Sequence, residues 1–278
     1  MDRGLSVLFD DRASSWSVLG TDARHTVDAG GKRIRPFLVR TACQALGQSA
    51  STCLPAACSV ELVHAYSLIH DDLPCMDDDD TRRGVPTLHV LRGAPRATLA
   101  ADWLLVTAFE VLLSSTFSPG TVSRMISRLA RAAGPCFLVA GQHRDLAPPS
   151  CPDTDWVEKV QRGKTSAMIR VSLELGALAG GAEADLLDRL GPIGDDLGVL
   201  FQITDDMLDV TSSSEELGKR TGKDSSHGKA THVALLGVDE TARLARGIAD
   251  RICDACAALD GDWGLLSQLA LYLPGRRR

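Results

Sequence analysis

No stretch of the 278 residues stays apolar for the roughly 18 that suggest a membrane span, and the opening segment Met1–Asp28 mixes charged and polar residues throughout. A soluble, cytoplasmic chain without stable membrane insertion is expected. Positive charge is also scarce: 30 Lys and Arg against 36 Asp and Glu leave a formal charge of −6. That argues against a general nucleic-acid or anionic-membrane surface, since both need a basic excess. Any anionic ligand must therefore meet a local basic patch. A disulfide framework is missing too, because Cys43, Cys53, Cys58, Cys75, Cys136, Cys151, Cys253 and Cys256 are scattered through a large chain with no secretory start. Cys253-x-x-Cys256 has the spacing of half a zinc site, yet no second Cys/His pair accompanies it, so it reads as two small residues on a helix. Low-complexity linkers and repeats with a period of 20–50 residues are absent, which leaves one domain spanning 1–278.

What is present is 44% hydrophobic residues, ample for a buried core. From about Leu54 onward they recur mostly at helical spacing, with little strand-like alternation. The expectation is an all-α chain with helices over Arg35–Leu46, Leu54–Asp71, Arg96–Ser114, Thr121–Gln142, Asp155–Ala179, Ala184–Asp209, Asp239–Leu259 and Asp262–Leu273. Helices this long, and apolar on several faces, are expected to pack as one large bundle with a central cavity that can host a ligand.

The strongest local feature is Asp71-Asp72-Leu-Pro-Cys-Met-Asp77-Asp78-Asp79-Asp80, six carboxylates in ten residues directly after an apolar helix. Two like charges about 4 Å apart repel by about 4 kcal/mol at an effective dielectric near 20, so such a run is either solvated or neutralised by cations. Pro74 interrupts the helix, which lets Asp77 bend back toward Asp71. Alone, an acidic run is usually a surface turn. A second cluster, Asp205-Asp206-Met-Leu-Asp209, sits among apolar neighbours, with Asp205 and Asp209 four apart and hence on one helical face. Carboxylates pushed toward a core are rarely left without a metal or a partner, and Asp oxygens suit hard Mg²⁺ better than zinc.

Basic residues supply the complement. Gly30-Gly-Lys32-Arg33-Ile-Arg35-Pro36 places two glycines and three cations at a helix start, Arg82-Arg83-Gly84 follows the first acidic run, and Lys164, Lys219 and Lys229 flank the second. Each could be an ordinary surface charge. Together they are what a pair of diphosphates needs: metal-binding carboxylates for one and direct cationic contacts for the other.

These motifs, with His64-Ala-Tyr-Ser-Leu-Ile-His-Asp-Asp-Leu-Pro-Cys-Met at 64–76, Lys164-Thr165 and Phe201-Gln-Ile-Thr-Asp-Asp-Met-Leu-Asp-Val, stand in an order and spacing that resemble the trans-isoprenyl diphosphate synthases, particularly the bacterial farnesyl diphosphate synthases. The resemblance runs from about Gly30 to near Leu271. It implies the isoprenoid-synthase helical fold, a homodimer, and Mg²⁺-dependent head-to-tail joining of isopentenyl diphosphate to allylic diphosphates. By the same resemblance, Asp71, Asp77, Asp205 and Asp209 hold about three Mg²⁺ on the allylic diphosphate, with Asp72 in the same motif. Arg82, Lys164, Lys219 and Lys229 surround that group, and Lys32, Arg35, His64 and Arg83 form the isopentenyl diphosphate site. Thr165 and Gln202 place oxygen dipoles near the developing cation. Gln142 and Asp145 match a Gln-x-x-Asp element with a supporting role.

Product length is read from Tyr66, five residues and about 7.5 Å before Asp71 along the helix, with Ser67 beside it. An aromatic there is the family's stop at fifteen carbons, so farnesyl diphosphate is expected, with geranylgeranyl diphosphate as the alternative. A class I terpene cyclase is disfavoured because its second metal motif is usually of Asn/Ser/Glu type and it lacks a second diphosphate site. A non-catalytic partner subunit is disfavoured because both aspartate motifs are intact. Two departures from the family pattern stand out: Ala101-Asp102 where Gly-Asp is usual, and Thr231-His232-Val233 where Thr-Tyr-Pro is frequent.

Overall fold

The computed structural model describes residues 2–12, 17–211 and 230–276. They form helices α1 (Asp2–Arg12), α2 (Ser17–Asp28), α3 (Ile34–Ala45), α4 (Leu54–Asp71), α5 (Leu88–Arg92), α6 (Ala94–Leu113), α7 (Pro119–Ala133), α8 (Leu138–Leu146) and α9 (Thr154–Gln161). A π-helical turn, Arg162–Ser166, joins α9 to α10 (Ala167–Ala179); then follow α11 (Ala184–Thr211), α12 (His232–Leu236), α13 (Val238–Ala257) and α14 (Gly264–Tyr272). The only described strands are β1 (Thr81–Arg82) and β2 (Val85–Pro86), an antiparallel pair with Thr81 opposite Pro86 and Arg82 opposite Val85. No described helix is long and apolar enough to cross a membrane.

The core is organised on α10, in which every residue except Arg170 is buried. A helix that is apolar all round belongs inside, and α10 packs against α3, α4, α7 and α11. Each fully buried Leu or Ile there contributes on the order of 1.5–3 kcal/mol relative to exposure. Its two buried polar side chains are satisfied: Ser172 donates to the Met168 carbonyl at 2.6 Å, and Glu174 accepts from Arg128 at 2.9 Å and Arg170 at 2.8 Å. Close packing depends on small residues. A Cβ on Gly176 would meet the Val39 carbonyl oxygen of α3 at 2.1 Å, and one on Gly198 of α11 would meet Ser166 Cα at 2.3 Å.

Several elements differ from the sequence expectation. The helix expected over Thr121–Gln142 is two, α7 and α8, because Pro135 lacks an N–H and Gly134 before it is extended at ψ −162°. The helix expected over Asp155–Ala179 contains the π turn, whose one-residue widening leaves apolar periodicity almost unchanged. The stretch expected from Arg96 begins earlier, as α5 and α6 separated by Gly93 at φ 82°. Helices α1, α2 and α12 were not expected; α2 is short and of mixed polarity, and tertiary contact with α6 holds it in place.

That contact is ionic. Asp22 of α2 is 2% exposed and receives Arg92 Nε at 3.0 Å and Arg96 Nε at 2.8 Å, whereas the two arginines remain 47% and 45% exposed. Removing the carboxylate leaves charges that water can solvate. Removing the arginines strands a buried anion, the costlier change. Arg92→Ala/Arg96→Ala is therefore expected to destabilise by about 3 kcal/mol and Asp22→Ala by clearly less, measured by urea denaturation. The reverse order would contradict this account of the clamp.

Candidate active site

The first acidic run lies where α4 stops. Pro74 ends the helical ladder, and the chain folds back so that Asp77 N donates to the Asp71 carbonyl at 2.9 Å and Asp78 N, at φ 51°, donates to the Leu73 carbonyl at 3.2 Å. The expected return of Asp77 toward Asp71 is therefore present. Burial raises the Asp71 carboxyl to about 6; Lys164 opposes the shift and neighbouring Asp77 adds to it. Asp72 is also raised by burial, with Arg82 opposing.

The two-residue turn after the run sorts the adjacent arginines. Arg83 and Gly84 both have positive φ, 54° and 79°, as a type I′ hairpin turn requires. Arg82 thereby returns to the acids, with Nε on Asp72 at 2.7 Å and Nη2 at 3.6 Å from Asp79. Arg83 instead lies against the Gly30-Gly31 loop: its Nη1 donates to the Gly30 carbonyl, and a Cβ on Gly31 would sit 2.6 Å from its guanidinium carbon. Gly31, at φ 130°, is what lets the guanidinium lie there. His64 Nε2 is 3.5 Å from Arg83 Nη2. Burial, then Arg35 and Arg83, lower the His64 pKa well below its ordinary value, so the ring is neutral at physiological pH. Arg35 is lowered by burial to about 10, stays cationic, and has a buried Nε without a hydrogen-bond partner.

The three cations of the glycine loop do not act alike. Arg33 turns back to the buried Glu61 at 2.5 Å and the Val27 carbonyl at 2.8 Å, which makes it a brace. Lys32 reaches Asp205 Oδ1 at 3.5 Å. Arg35 stays inside.

The π turn brings the two acidic motifs together through consecutive residues. Lys164 Nζ is 4.0 Å from Asp71 Oδ2 and 2.8 Å from Asp145 Oδ2. Burial alone would lower its pKa, but Asp71 and Asp145 outweigh that and raise it. Thr165 Oγ1 donates to Gln202 Oε1 at 3.0 Å, and Gln202 Nε2 donates to Asp206 Oδ1 at 2.8 Å. Asp206 is buried and also accepts from Gln161 at 3.4 Å, so it anchors the helix while Asp205, 38% exposed, faces outward from it. The turn sits backbone to backbone on α8, since a Cβ on Gly141 would lie 2.3 Å from Lys164 N.

Tyr66 is half-buried one turn before Asp71, its ring edge-on to His70 at 4.7 Å; burial, Asp102 and Asp71 raise its hydroxyl pKa. Ser67 Oγ donates to the His64 carbonyl at 2.9 Å. Asp209 lies on α11 one turn beyond Asp205. Lys219 and Lys229 lie outside the described residues.

One site residue escaped the sequence reading. Arg276, its side chain 3% exposed, pairs with Asp205 and lies 4.7 Å over the Phe201 ring, which Lys32 also approaches at 5.7 Å. The Pro-Gly-Arg-Arg-Arg ending carried the only signal, a cluster of cations after a turn.

Does this donor set fit Mg²⁺? It consists of carboxylates, with the Gln142 amide nearby, both of whose polar atoms are buried without a hydrogen-bond partner. Among the described residues no three carboxylates already form a cage. Mg²⁺ is ordinarily held by one or two carboxylates plus substrate phosphates, so a cage is not required. Oxygen-only donors at Asp71, Asp77 and Asp205 fit the ion.

Comparison with known proteins shows the family and the fold. The polyprenyl synthetase family model matches residues 17–255. Among curated relatives, the heterodimeric geranylgeranyl pyrophosphate synthase large subunit 1 of Arabidopsis thaliana is 43% identical over 247 residues, 86% of this chain and 67% of the relative. The farnesyl diphosphate synthase of Geobacillus stearothermophilus is 44% identical over 218 residues, 77% and 73% of the two chains. Among solved structures, the Helicobacter pylori geranyltransferase complexed with magnesium and isoprenyl diphosphate superposes with a TM-score of 0.80 at 29% identity, covering 98% of this chain and 96% of that one. The Pyrococcus horikoshii geranylgeranyl pyrophosphate synthetase gives a TM-score of 0.87 at 29% identity, with 98% and 96% coverage. With the fold, the motifs and these similarities in agreement, the chain belongs to the polyprenyl synthetase family and is a prenyltransferase of the trans-isoprenyl diphosphate synthase type.

Proposed function

We propose that the chain condenses isopentenyl diphosphate with dimethylallyl and geranyl diphosphates to give farnesyl diphosphate. The observation that carries this reading is the pair Lys164 and Thr165, which tie the first acidic motif to the second through one backbone turn. Asp71, Asp77, Asp205 and Asp209 would hold about three Mg²⁺ for the allylic diphosphate, and these ions would supply neutralisation of the charge that gathers on the departing diphosphate. Arg82 and Lys164 contact the same group, and Lys219 and Lys229, which the resemblance adds to it, lie outside the described residues. Asp72 keeps Arg82 in place.

Isopentenyl diphosphate takes the separate cationic pocket of Lys32, Arg35 and Arg83. Neutral His64 can donate to it without adding charge. As the allylic C–O bond breaks, the Thr165 lone pairs, left free because its hydroxyl donates to Gln202, face the allylic cation. The isopentenyl double bond attacks, and the proton lost to restore a double bond passes to the departed diphosphate. Surrounding apolar helices keep water from the cation.

Tyr66 supports a fifteen-carbon product, since its ring is held by His70 beneath the acidic motif. A second reading, geranylgeranyl diphosphate, is favoured by relatives such as those of Arabidopsis thaliana and Catharanthus roseus, whose names carry that product. The chain is read as one domain and as a homodimer. The exposed Leu99, Val106 and Leu113, at 55%, 58% and 64%, recur along one face of α6 and offer an apolar surface for a second copy. Eight free cysteines are consistent with a reducing cytoplasmic location.

Three outcomes test the reading. With Mg²⁺, isopentenyl diphosphate and C5, C10 or C15 primers, the C5 and C10 primers should give C15 and the C15 primer little extension; Tyr66→Ala should lengthen the product, and dominant C20 from the unaltered chain refutes the length assignment. Asp71→Ala and Asp205→Ala should each lower kcat/KM by about 10²–10³-fold or more with an unchanged helical spectrum, and near-normal turnover contradicts their role. In light scattering, Val106→Glu should shift the chain from dimer to monomer; an unaltered mass excludes the α6 face.

A further inference from the structure

Away from the carboxylates, a cavity of about 590 Å³ opens between α7, Phe137 and α10. That is the size of a small-molecule pocket. Its walls are basic in a chain of formal charge −6: Arg124, Arg128 and Arg131 come from α7 and Arg170 from α10. The three α7 residues recur at i, i+4 and i+7, so they share one face, and Ser123 and Ser127 add hydroxyls.

Like charges on one helix face repel, and on an ordinary surface they splay into water. Here a buried carboxylate prevents that for Arg128 and also holds Arg170 of α10. Glu174, 4% exposed, takes Arg128 Nη1 at 2.9 Å and Arg170 Nε at 2.8 Å, and Arg170 Nη1 also reaches Asp195 at 3.2 Å. Arg131 lies over the Phe137 ring at 5.6 Å. Neither Arg131 nor Arg124 has a carboxylate partner among the described residues, so their guanidinium donors are available beside a wall already fixed in position. Planar donor forks suit phosphate oxygens, and preorganisation lowers the cost of binding them.

We propose that this cavity is a second anion site, in which the phosphate of a small phosphorylated ligand meets Arg124 and Arg131 and its carbon skeleton lies on Ala132, Phe137 and Val171. None of its lining residues belongs to the carboxylate site. The two are nevertheless adjacent along the chain, because α10 continues from the π turn and Arg170 follows Lys164 by six residues. A small ligand is favoured over a macromolecule because the cleft has the volume of a small-molecule pocket and places apolar side chains beside the cations.

The test is calorimetric titration of the full chain with inorganic diphosphate and, separately, with a short alkyl diphosphate, both in EDTA so that no divalent ion bridges ligand to the carboxylates. A Lys32→Ala/Arg83→Ala chain removes cations of the proposed isopentenyl diphosphate site, so failure of that reading and failure of this one give different results. Binding should persist in Lys32→Ala/Arg83→Ala, and adding Arg124→Ala/Arg131→Ala to that chain should weaken it by about tenfold or more. The latter substitutions leave no carboxylate unpaired, and the helical spectrum should match that of the parent. Tighter binding of the alkyl ligand assigns the site to organic diphosphates, and equal binding assigns it to the free anion. Binding abolished in Lys32→Ala/Arg83→Ala, or not weakened there by the added Arg124→Ala/Arg131→Ala, overturns the proposal.

Discussion

Repulsion between half-buried carboxylates is the constraint around which the site is arranged. Burial removes the water that would screen Asp71, and Asp77 lies close enough to disfavour its charge further. Lys164 answers that charge from the π turn, itself stabilised in the cationic state by Asp71 and Asp145. Asp205 is answered by Lys32 and Arg276 in the same way. Each of these contacts couples separate parts of the chain, so the charge balance of the site also fixes how α4, α8, α11, the glycine loop and the C-terminal turn sit together.

Backbone geometry decides which cation serves which anion. Arg82 and Arg83 are neighbours in sequence, yet the positive φ values at Arg83 and Gly84 send one guanidinium to Asp72 and the other to the Gly30 carbonyl. The π turn does the same for Lys164 and Thr165, one serving each acidic motif. A regular α-helix would place the two side chains about 100° apart at fixed height; the widened turn, seated on Gly141, sets them against α4 and α11 together. Such turns recur at functional sites because they aim side chains that a regular ladder could not.

Much of this was legible in the sequence, and the parts that were not have a common cause. Six aspartates after an apolar helix, with Pro74 between them, implied the fold-back, and the Asp77 amide on the Asp71 carbonyl matches that part of the reading. The break at Pro135 was equally written but was overridden by the apolar periodicity on either side of it. Features set by tertiary pairing left little local trace. Arg33 sits between Lys32 and Arg35 in the motif, yet it braces Glu61 from another helix. Arg276 enters the site only because the chain end turns back onto Phe201. Helix α2 is held through Asp22, a residue whose importance appears only when its two arginine partners arrive from elsewhere in the chain.

The two departures from the family pattern have structural readings. Ala101 is fully buried on α6, which packs along α4. Burial and then the neighbouring Asp102 raise the Tyr66 pKa, while at His70 Asp102 only opposes the lowering by burial; these two rings are the pair proposed as the floor beneath the acidic motif. A negative charge beside that floor opposes ionisation of the Tyr66 hydroxyl and favours a protonated His70, although burial keeps the His70 pKa below its ordinary value. The floor is therefore a packed, neutral aromatic pair, the surface an uncharged prenyl chain can meet without desolvating an ion. At the other departure, Thr231 caps α12 by accepting from Ala234 N at 3.1 Å, and the His232 that follows is buried and lowered in pKa by that burial. A neutral, space-filling ring there keeps α12 against α11 and α9, so replacing the frequent Tyr-Pro pair with His-Val preserves packing next to the second acidic motif without adding charge to it.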